Sequence, residues 1–549
     1  MRGGRTTLGP TPKIYDAIVV GTGAAGCWAA KELSEGGMNV LVLEAGRAID
    51  KDKDFPPIKP LEMNMWHRVG FALRGQAIQT RHAGEQFGLG LSPFYVNDRH
   101  NPYSTPSDAP FQWTRGRQVG GRMHTWGRVA FRMSEYDFKR PDLDPSIGGE
   151  WPIGYDDLAP YYTRVEKTLG LIADKDGLEK IPDGESLSEP PPISASNRIY
   201  GEWVKDRVGV EIIRSRVLQN NLDRIPTPLT MALATGHCAL QPDAVVHRLL
   251  IDEATGKARG VGYRDRLSKA YQEVSANTVV LCASALESTR ILLNSACDRF
   301  PEGIGASSGS LGRYLHDHVL VGKGGLPSTE FSEAVKAAGE KDFGPARDPY
   351  DHGAYTMYVP RFCGDLKDKP NFVGEYGIQT SASSHSWMML LFGQMIPRFE
   401  NRVTRHPRKK DRWGIPIAHI ETRHGENEFK MAQHMHQTAK RFEEKLGFKL
   451  LEAGSRVRRG PQHLIDKLLK PMAIQKSGAM LPGAAIHETG GARMGSDPEE
   501  SVVNPYCGVW DVPNVYVTDG ACFPSNACQN HTLTIMALTV RACEHILQK

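Results

Sequence analysis

Gly21, Gly23 and Gly26 stand at G-x-G-x-x-G spacing, the first arrangement in the chain that implies a chemistry. They follow a short apolar, β-branched run (YDAIVV, 15–20) and lead into CWAAKELSEGG, whose apolar residues recur at helical period. NVLVLEAG then reads as a second buried strand ending at Glu44. A strand, a glycine turn, a helix and a second strand, with an acid about 20 residues beyond the glycines, is the unit that cradles a dinucleotide. Gly21 permits the tight turn. Gly23 lets backbone approach a pyrophosphate, and Gly26 lets the helix lie close on the strand. Ala24 and Ala25 lie between Gly23 and Gly26, before the helix whose N-terminal unpaired N–H groups and positive dipole end face the phosphates. Glu44, followed by Ala45, can accept hydrogen bonds from ribose hydroxyls. This motif alone serves FAD and NAD equally.

A second glycine cluster lies in RGRQVGGRMHTWGRVAFRM (115–133), which holds Arg117, Gly120, Gly121, Trp126 and Gly127. Its glycines suggest backbone held against a flat ligand. His316, Asp317 and His318 form a triplet after LGRYL. Alternate residues on a loop with no third ligand make a weak metal site, so packing is the expected role and no metal is assigned. Nine cysteines are scattered without a CxxC pair, which reads as isolated thiols in a reducing compartment.

The elements that must position these residues fit a chain of 549 residues, long enough for two or three domains. It is 40% hydrophobic and 24% charged, ordinary values for a globular protein. Its 67 Lys and Arg against 63 Asp and Glu give +4, which argues for neither nucleic acid nor a membrane surface. No apolar run approaches the roughly 18 residues of a membrane span. MRGGRTTLGPTPK lacks a signal-peptide core, so the expected location is cytoplasmic, with export alongside a partner subunit left open. NVYVTDG (514–520) reads as a strand and turn. From Thr532 onward, Leu533, Met536, Ala537 and Val540 share a helical face, with Asn530 at the loop-to-helix junction.

The cradle, VGGRMHTWG, VVLCASALESTRILLNS (279–295), HETGGARMG (487–495) and NHTLTIMAL (530–538) occur in one order. Together they resemble the glucose–methanol–choline (GMC) family of FAD oxidoreductases. WGRVAFR, WPIGYDDLAPYY and VWDVPNVYVTDGACF are most similar to its bacterial glucoside 3-dehydrogenase and pyranose-oxidase-like branch. The resemblance implies FAD. It also implies an α/β fold: a Rossmann-like FAD-binding domain from 10–160, 195–320 and 480–549, a connecting loop at 161–194, and an inserted substrate domain at 321–479. Ala283, Asp519 and Gly520 would lie along the cofactor, and His531 and Thr532 at the start of the last helix. Thr125 occupies the position, just before Trp126, where some relatives attach FAD covalently, and His124 is shifted by one; non-covalent FAD is expected.

Residue by residue, the resemblance carries the family's catalytic pair onto His487 and Asn530, with His531 the rival for the second place. A neutral imidazole, with an unperturbed pKa near 6.5, suits acceptance of the alcohol proton while a hydride moves to flavin N5. An asparagine amide can orient the alcohol oxygen, and also suits a helix cap. The implied substrate is a sugar or glycoside oxidised at a secondary hydroxyl, such as C3. The alternative is a non-sugar alcohol of the choline, sterol or aryl type. Oxygen, a quinone or a redox partner protein, including a small or cytochrome subunit, would accept the electrons.

Within the substrate domain, 372–381, 388–396 and 415–423 suggest one antiparallel sheet roofing the flavin. Tyr376, Trp387 and Phe392 could stack on a sugar or pack in a core. Residues 426–446 read as an amphipathic helix with Phe429, Ala432, Met435, Phe442 and Leu446 on one face and a stop at Gly447. Residues 402–412 read as a solvated basic loop, and 330–350 as a mobile flap.

Overall fold

The computed structural model describes residues 14–50, 54, 93–147, 149–185, 187–188, 193–218, 226–339, 357–359, 371–451 and 475–549. The glycine motif folds as expected. Strand β1 (Tyr15–Val20) leads through helix α1 (Ala24–Glu35) to β2 (Val40–Leu43), paired parallel to β1. The chain later adds β3 (Cys238–Gln241) beside β2. A meander of β4 (Ala244–Ile251), β5 (Ala258–Asp265) and β6 (Tyr271–Leu281) follows. The long β6 serves two pairings. Its first residues pair antiparallel with β5, and Ala276 to Leu281 run parallel to β1. Five parallel strands result once Val515–Val517 from the tail joins the other side of β6. Near-continuous apolar runs suit strands covered on both faces. The covering helices are α1 and the last helix, Thr532–Leu547, whose Leu533, Met536, Ala537 and Val540 are fully buried.

The three motif glycines differ in what they permit. Gly21 has φ +101, a left-handed conformation that only glycine adopts freely. A Cβ at Gly26 would stand 2.0 Å from the Gly21 carbonyl oxygen, so helix and turn touch backbone to backbone. A Cβ at Gly23 would meet nothing within 4 Å, because that face opens on a cavity.

A second core surrounds a six-stranded sheet. Its central strands are His318–Leu326, Tyr376–Ala382 and Trp387–Gln394, all antiparallel neighbours. The helix Glu426–Leu446 packs on it, ending at Gly447 with φ +65. Ala432, Met435, Phe442 and Leu446 are buried as expected. Phe429 is 38% exposed instead, and Met431 and Ala439 complete the apolar face.

Several expectations are corrected. Residues 415–423 do not join this sheet: Pro416–Glu421 pairs with Arg402–Lys410 in a separate hairpin. The basic run 402–412 is therefore mostly strand, with its charged end exposed. The stretch 161–194 is not only a connecting loop, since the helix Tyr155–Leu169 extends well into it. Within 195–320, the helix Ala195–Trp203 packs in the second core, and Ile213–Arg214 pairs with that sheet's edge. The helix Thr329–Ala337, capped by Ser328, buries Phe331 and Val335, so this part of the expected flap is core-packed; 340–350 lies outside the described residues. Tyr376 and Trp387 are core residues.

Gly26→Ala places a methyl group on a carbonyl that cannot retreat, at a cost of about 1–3 kcal/mol or more. A lower melting temperature and loss of bound flavin, read from the visible absorbance of purified protein, are expected; wild-type values for both would contradict this packing.

Candidate active site

One cavity of about 380 Å³ runs from the glycine turn to the second sheet. At one end, Gly21, Gly23, Ala24 and Ala25 line it beside the N-terminus of α1. Glu44 and Ala45 line it next to them. The Glu44 carboxylate accepts hydrogen bonds from the Thr22 and Gly46 backbone N–H groups at 3.1 and 2.8 Å. Burial pushes its pKa up, so further donors such as ribose hydroxyls suit it. Arg117, Gly121, Trp126, Gly127, Ala283, Asp519, Gly520, His531 and Thr532 also line the cavity.

Some predicted residues act differently from the simplest expectation. Gly26 and Gly120 shape the wall without lining it: Gly120 donates its N–H to the Thr22 hydroxyl at 2.9 Å. The Arg117 guanidinium is already engaged by Glu287 at 3.0 Å and Asn101 at 2.8 Å. Asp519 accepts from the Ser284 and Ala521 N–H groups at 2.9 Å each, and burial raises its pKa to about 6. His124 does not line the cavity; its Nε2 lies 2.7 Å from the Val119 carbonyl and its ring stacks on Phe94.

The residues present fit FAD. Beyond Glu44, the cavity is lined by Ala244, Val245, Val246, His247 and Asn294. Both polar atoms of the buried Asn294 amide lack a hydrogen-bond partner within the protein, as does Nδ1 of His247. An unpaired donor and acceptor side by side match the edge of a purine. The sequence reading missed both residues, because an isolated Asn or His on an apolar element carries no spacing signal.

At the opposite end, His487 and Asn530 come together from sites 43 residues apart, with His487 Nε2 3.0 Å from Asn530 Nδ2. An amide nitrogen only donates, so His487 Nε2 presents its lone pair. Three segments hold this pair. His316 and Thr489 exchange backbone hydrogen bonds at 3.0 and 2.9 Å. The Asp317 carboxylate accepts the His487 and Gly483 N–H groups at 3.0 and 2.8 Å. Asn526 of the tail donates its amide to the Asp317 carbonyl at 2.8 Å. The last helix is N-capped by His531 without a side-chain hydrogen bond, so Asn530 faces His487 rather than capping.

The triplet His316, Asp317 and His318 therefore packs beside the pair. His318 Nδ1 lies 2.8 Å from His487 Nδ1, a contact the sequence reading missed. Arg122, paired with Glu488 at 3.0 Å, also lines this end and was missed. Strand residues Leu320, Gln379, Leu390 and Phe392, with Met480, form the roof, and the Phe392 ring stands 5.8 Å from that of His487. Desolvation lowers the pKa of His316 and His318 to about 4, and lowers those of His487 and His531 as well. Among the described residues no helix is long and apolar enough to cross a membrane, and the cysteines are unpaired thiols; Cys363 lies outside them.

A bilobed α/β protein with a dinucleotide cradle and an imidazole–amide pair at the far end of one cavity defines an FAD-dependent oxidoreductase acting on CH–OH donors. A family model described as GMC oxidoreductase matches residues 215–320, a second of the same description matches 397–539, and an FAD binding domain model matches 16–51. The chain belongs to the GMC oxidoreductase family. It is 26% identical to the 2-methyl-1,2-propanediol dehydrogenase of Mycolicibacterium austroafricanum over 97% of this chain and 95% of that one. It is 25% identical to the paromamine 6'-oxidase of Streptomyces fradiae (97% and 91%) and 24% identical to the C-glycoside 3-oxidase of Microbacterium trichothecenolyticum (97% of each). Its fold is similar to that of a formate oxidase variant from Aspergillus oryzae, with TM-score 0.65 over 98% of this chain and 99% of that one at 16% identity.

The buried imidazoles make stability acid-sensitive. Their folded pKa values lie below the unfolded value of about 6.5, so between pH 6.5 and 4 the unfolded chain takes up protons that the folded chain refuses. Each costs up to about 1.4 kcal/mol per pH unit as pH falls. Asp317, raised to about 7 by burial and by Glu488, Asp519, raised to about 6 by burial, and Glu44 act in the opposite sense and offset part of this, while His247 and His424, lowered to about 4 by burial, add to the four imidazoles. The melting temperature is expected to fall from pH 6.5 to 5, and less steeply in His316→Asn. Equal slopes would contradict a neutral His316.

Proposed function

We propose that this enzyme oxidises a secondary hydroxyl of a sugar or glycoside, C3 of a glucoside being the first candidate, to a ketone. The observation that carries the chemistry is the 3.0 Å distance between His487 Nε2 and the Asn530 amide nitrogen in the cavity wall. A substrate hydroxyl placed against both would give its proton to His487 Nε2. Asn530 Nδ2 would donate to the same oxygen, holding the carbon in line for reaction. FAD, when bound, supplies the acceptor for the hydride that leaves that carbon, so the C–H and O–H bonds break and C=O forms. The N-terminus of the last helix, at His531 and Thr532, offers N–H groups and a positive dipole end to negative charge arising nearby.

FAD is held without a covalent bond in this reading. Thr125 stands at the attachment position, and His124 is occupied by Val119 and Phe94. The sugar reading rests on the named activities of the paromamine and C-glycoside oxidases, each matched over 97% of this chain. A second reading, a non-sugar alcohol, is favoured by the apolar roof of Leu320, Leu390, Phe392 and Met480 and by the propanediol dehydrogenase. The electron acceptor is oxygen, a quinone or a partner protein.

Anaerobic titration of the yellow protein with a panel of glucosides, small diols and aryl alcohols separates the two readings. Bleaching of the flavin by glucosides is expected; bleaching by diols or aryl alcohols with no glycoside active would overturn the sugar reading. His487→Ala should keep the flavin spectrum while slowing flavin reduction by roughly 10²–10⁴-fold. Unchanged reduction would mean that another group takes the proton.

A further inference from the structure

We infer that His318 is a positioning residue that locks His487 into the one tautomer able to act as base. Four groups form a single hydrogen-bonded line, buried at Ala527 and His318 and reaching the cavity wall at His487 and Asn530. The Ala527 carbonyl lies 2.6 Å from His318 Nε2, His318 Nδ1 lies 2.8 Å from His487 Nδ1, and His487 Nε2 lies 3.0 Å from Asn530 Nδ2. A carbonyl oxygen only accepts, so His318 Nε2 carries the hydrogen. A neutral imidazole has one N–H, so His318 Nδ1 is an acceptor. The hydrogen between the two rings then belongs to His487 Nδ1, which leaves His487 Nε2 bare. The other end of the line requires the same answer, because the Asn530 amide nitrogen can only donate. Both ends therefore dictate one assignment, and no other neutral arrangement satisfies all three contacts.

The geometry leaves His318 little freedom to do otherwise. Its side chain is 1% exposed, and its ring lies 4.9 Å from the rings of both His487 and His531. Phe392 closes a further side at 5.8 Å. Ala527 sits in the tail loop that Asn526 ties to the Asp317 carbonyl. Ala527, whose carbonyl fixes the hydrogen of His318, and Asn530, which donates to the base, are thus three positions apart on one loop. When His487 Nε2 accepts the alcohol proton, the imidazolium keeps its Nδ1 hydrogen bond to His318, which becomes charge-assisted and stronger. Without His318 only the Asn530 amide opposes the other tautomer, and that amide can rotate to present its oxygen to a hydrogen on Nε2, where the ring cannot accept.

This inference rests on His487 being the proton acceptor, so His487→Ala is the control. Three substitutions at 318 separate tautomer control from packing. Asn places an amide oxygen where Nδ1 was and can still accept from His487. Gln reaches the Ala527 carbonyl but offers nothing at the Nδ1 position. Ala offers neither. The FAD-loaded variants are compared by anaerobic stopped-flow, reading the limiting rate of flavin reduction and the substrate dissociation constant separately, alongside the melting temperature. Ala and Gln are expected to lower the limiting rate roughly 10²-fold with little change in dissociation constant, as for groups that orient a reacting residue. Asn is expected to recover most of that loss. Gln matching wild type while Asn resembles Ala would show that only the Ala527 contact matters and would overturn the inference. Wild-type rates in all three, with His487→Ala inactive, would refute it while leaving the functional reading intact. Full activity in His487→Ala would remove the functional reading itself.

Discussion

The site depends on one buried junction, where residues 316–318 of the middle of the chain pair with 487–489 and receive the tail loop 526–531. Asp317 is its pin. The carboxylate accepts two backbone N–H groups, His487's among them, and its own carbonyl accepts the Asn526 amide. Hydrogen bonds of this kind are worth about 1.5–3 kcal/mol each when one partner is charged, and leaving a buried one unmade costs as much. Sequence separation of 170 residues between Asp317 and His487 is bridged there, and the strand that begins at His318 carries the second sheet away from it.

The same cavity changes character along its length. Its first half offers backbone amides, a helix N-terminus and the Glu44 carboxylate, groups suited to phosphates and ribose. Its second half sets a cluster of neutral imidazoles under apolar strand residues. Desolvation keeps those rings uncharged, so the line of donors and acceptors through them has a fixed direction. A neutral imidazole held in place at the wall of the cavity that would hold FAD is the arrangement that alcohol oxidation by paired proton and hydride loss would use.

Much of this was legible in the residues. Gly21, Gly26 and Glu44 declared their places because a tight turn, a backbone-to-backbone approach and a strand-end acid each leave a spacing in the sequence. The 426–446 helix was legible to the residue because Gly447 ends it with a positive φ. His318 was not, because its partner lies 169 residues away and no local pattern encodes that distance. The hairpin 402–421 escaped for a related reason: alternation predicts a strand but not which sheet it joins. Phe429 was misplaced because a 3.6-residue period fixes a face only to within a neighbouring position.

The central claim is that head and tail meet so that a bare imidazole nitrogen faces the cavity beside FAD. Neutron crystallography of the FAD-loaded protein, exchanged into heavy water, observes this directly. The account predicts deuterium on Nδ1 of His487 and on Nε2 of His318, with Nε2 of His487 undeuterated and facing the isoalloxazine side of the cavity. Deuterium on Nε2 of His487, or a His487 ring remote from the flavin, would contradict it.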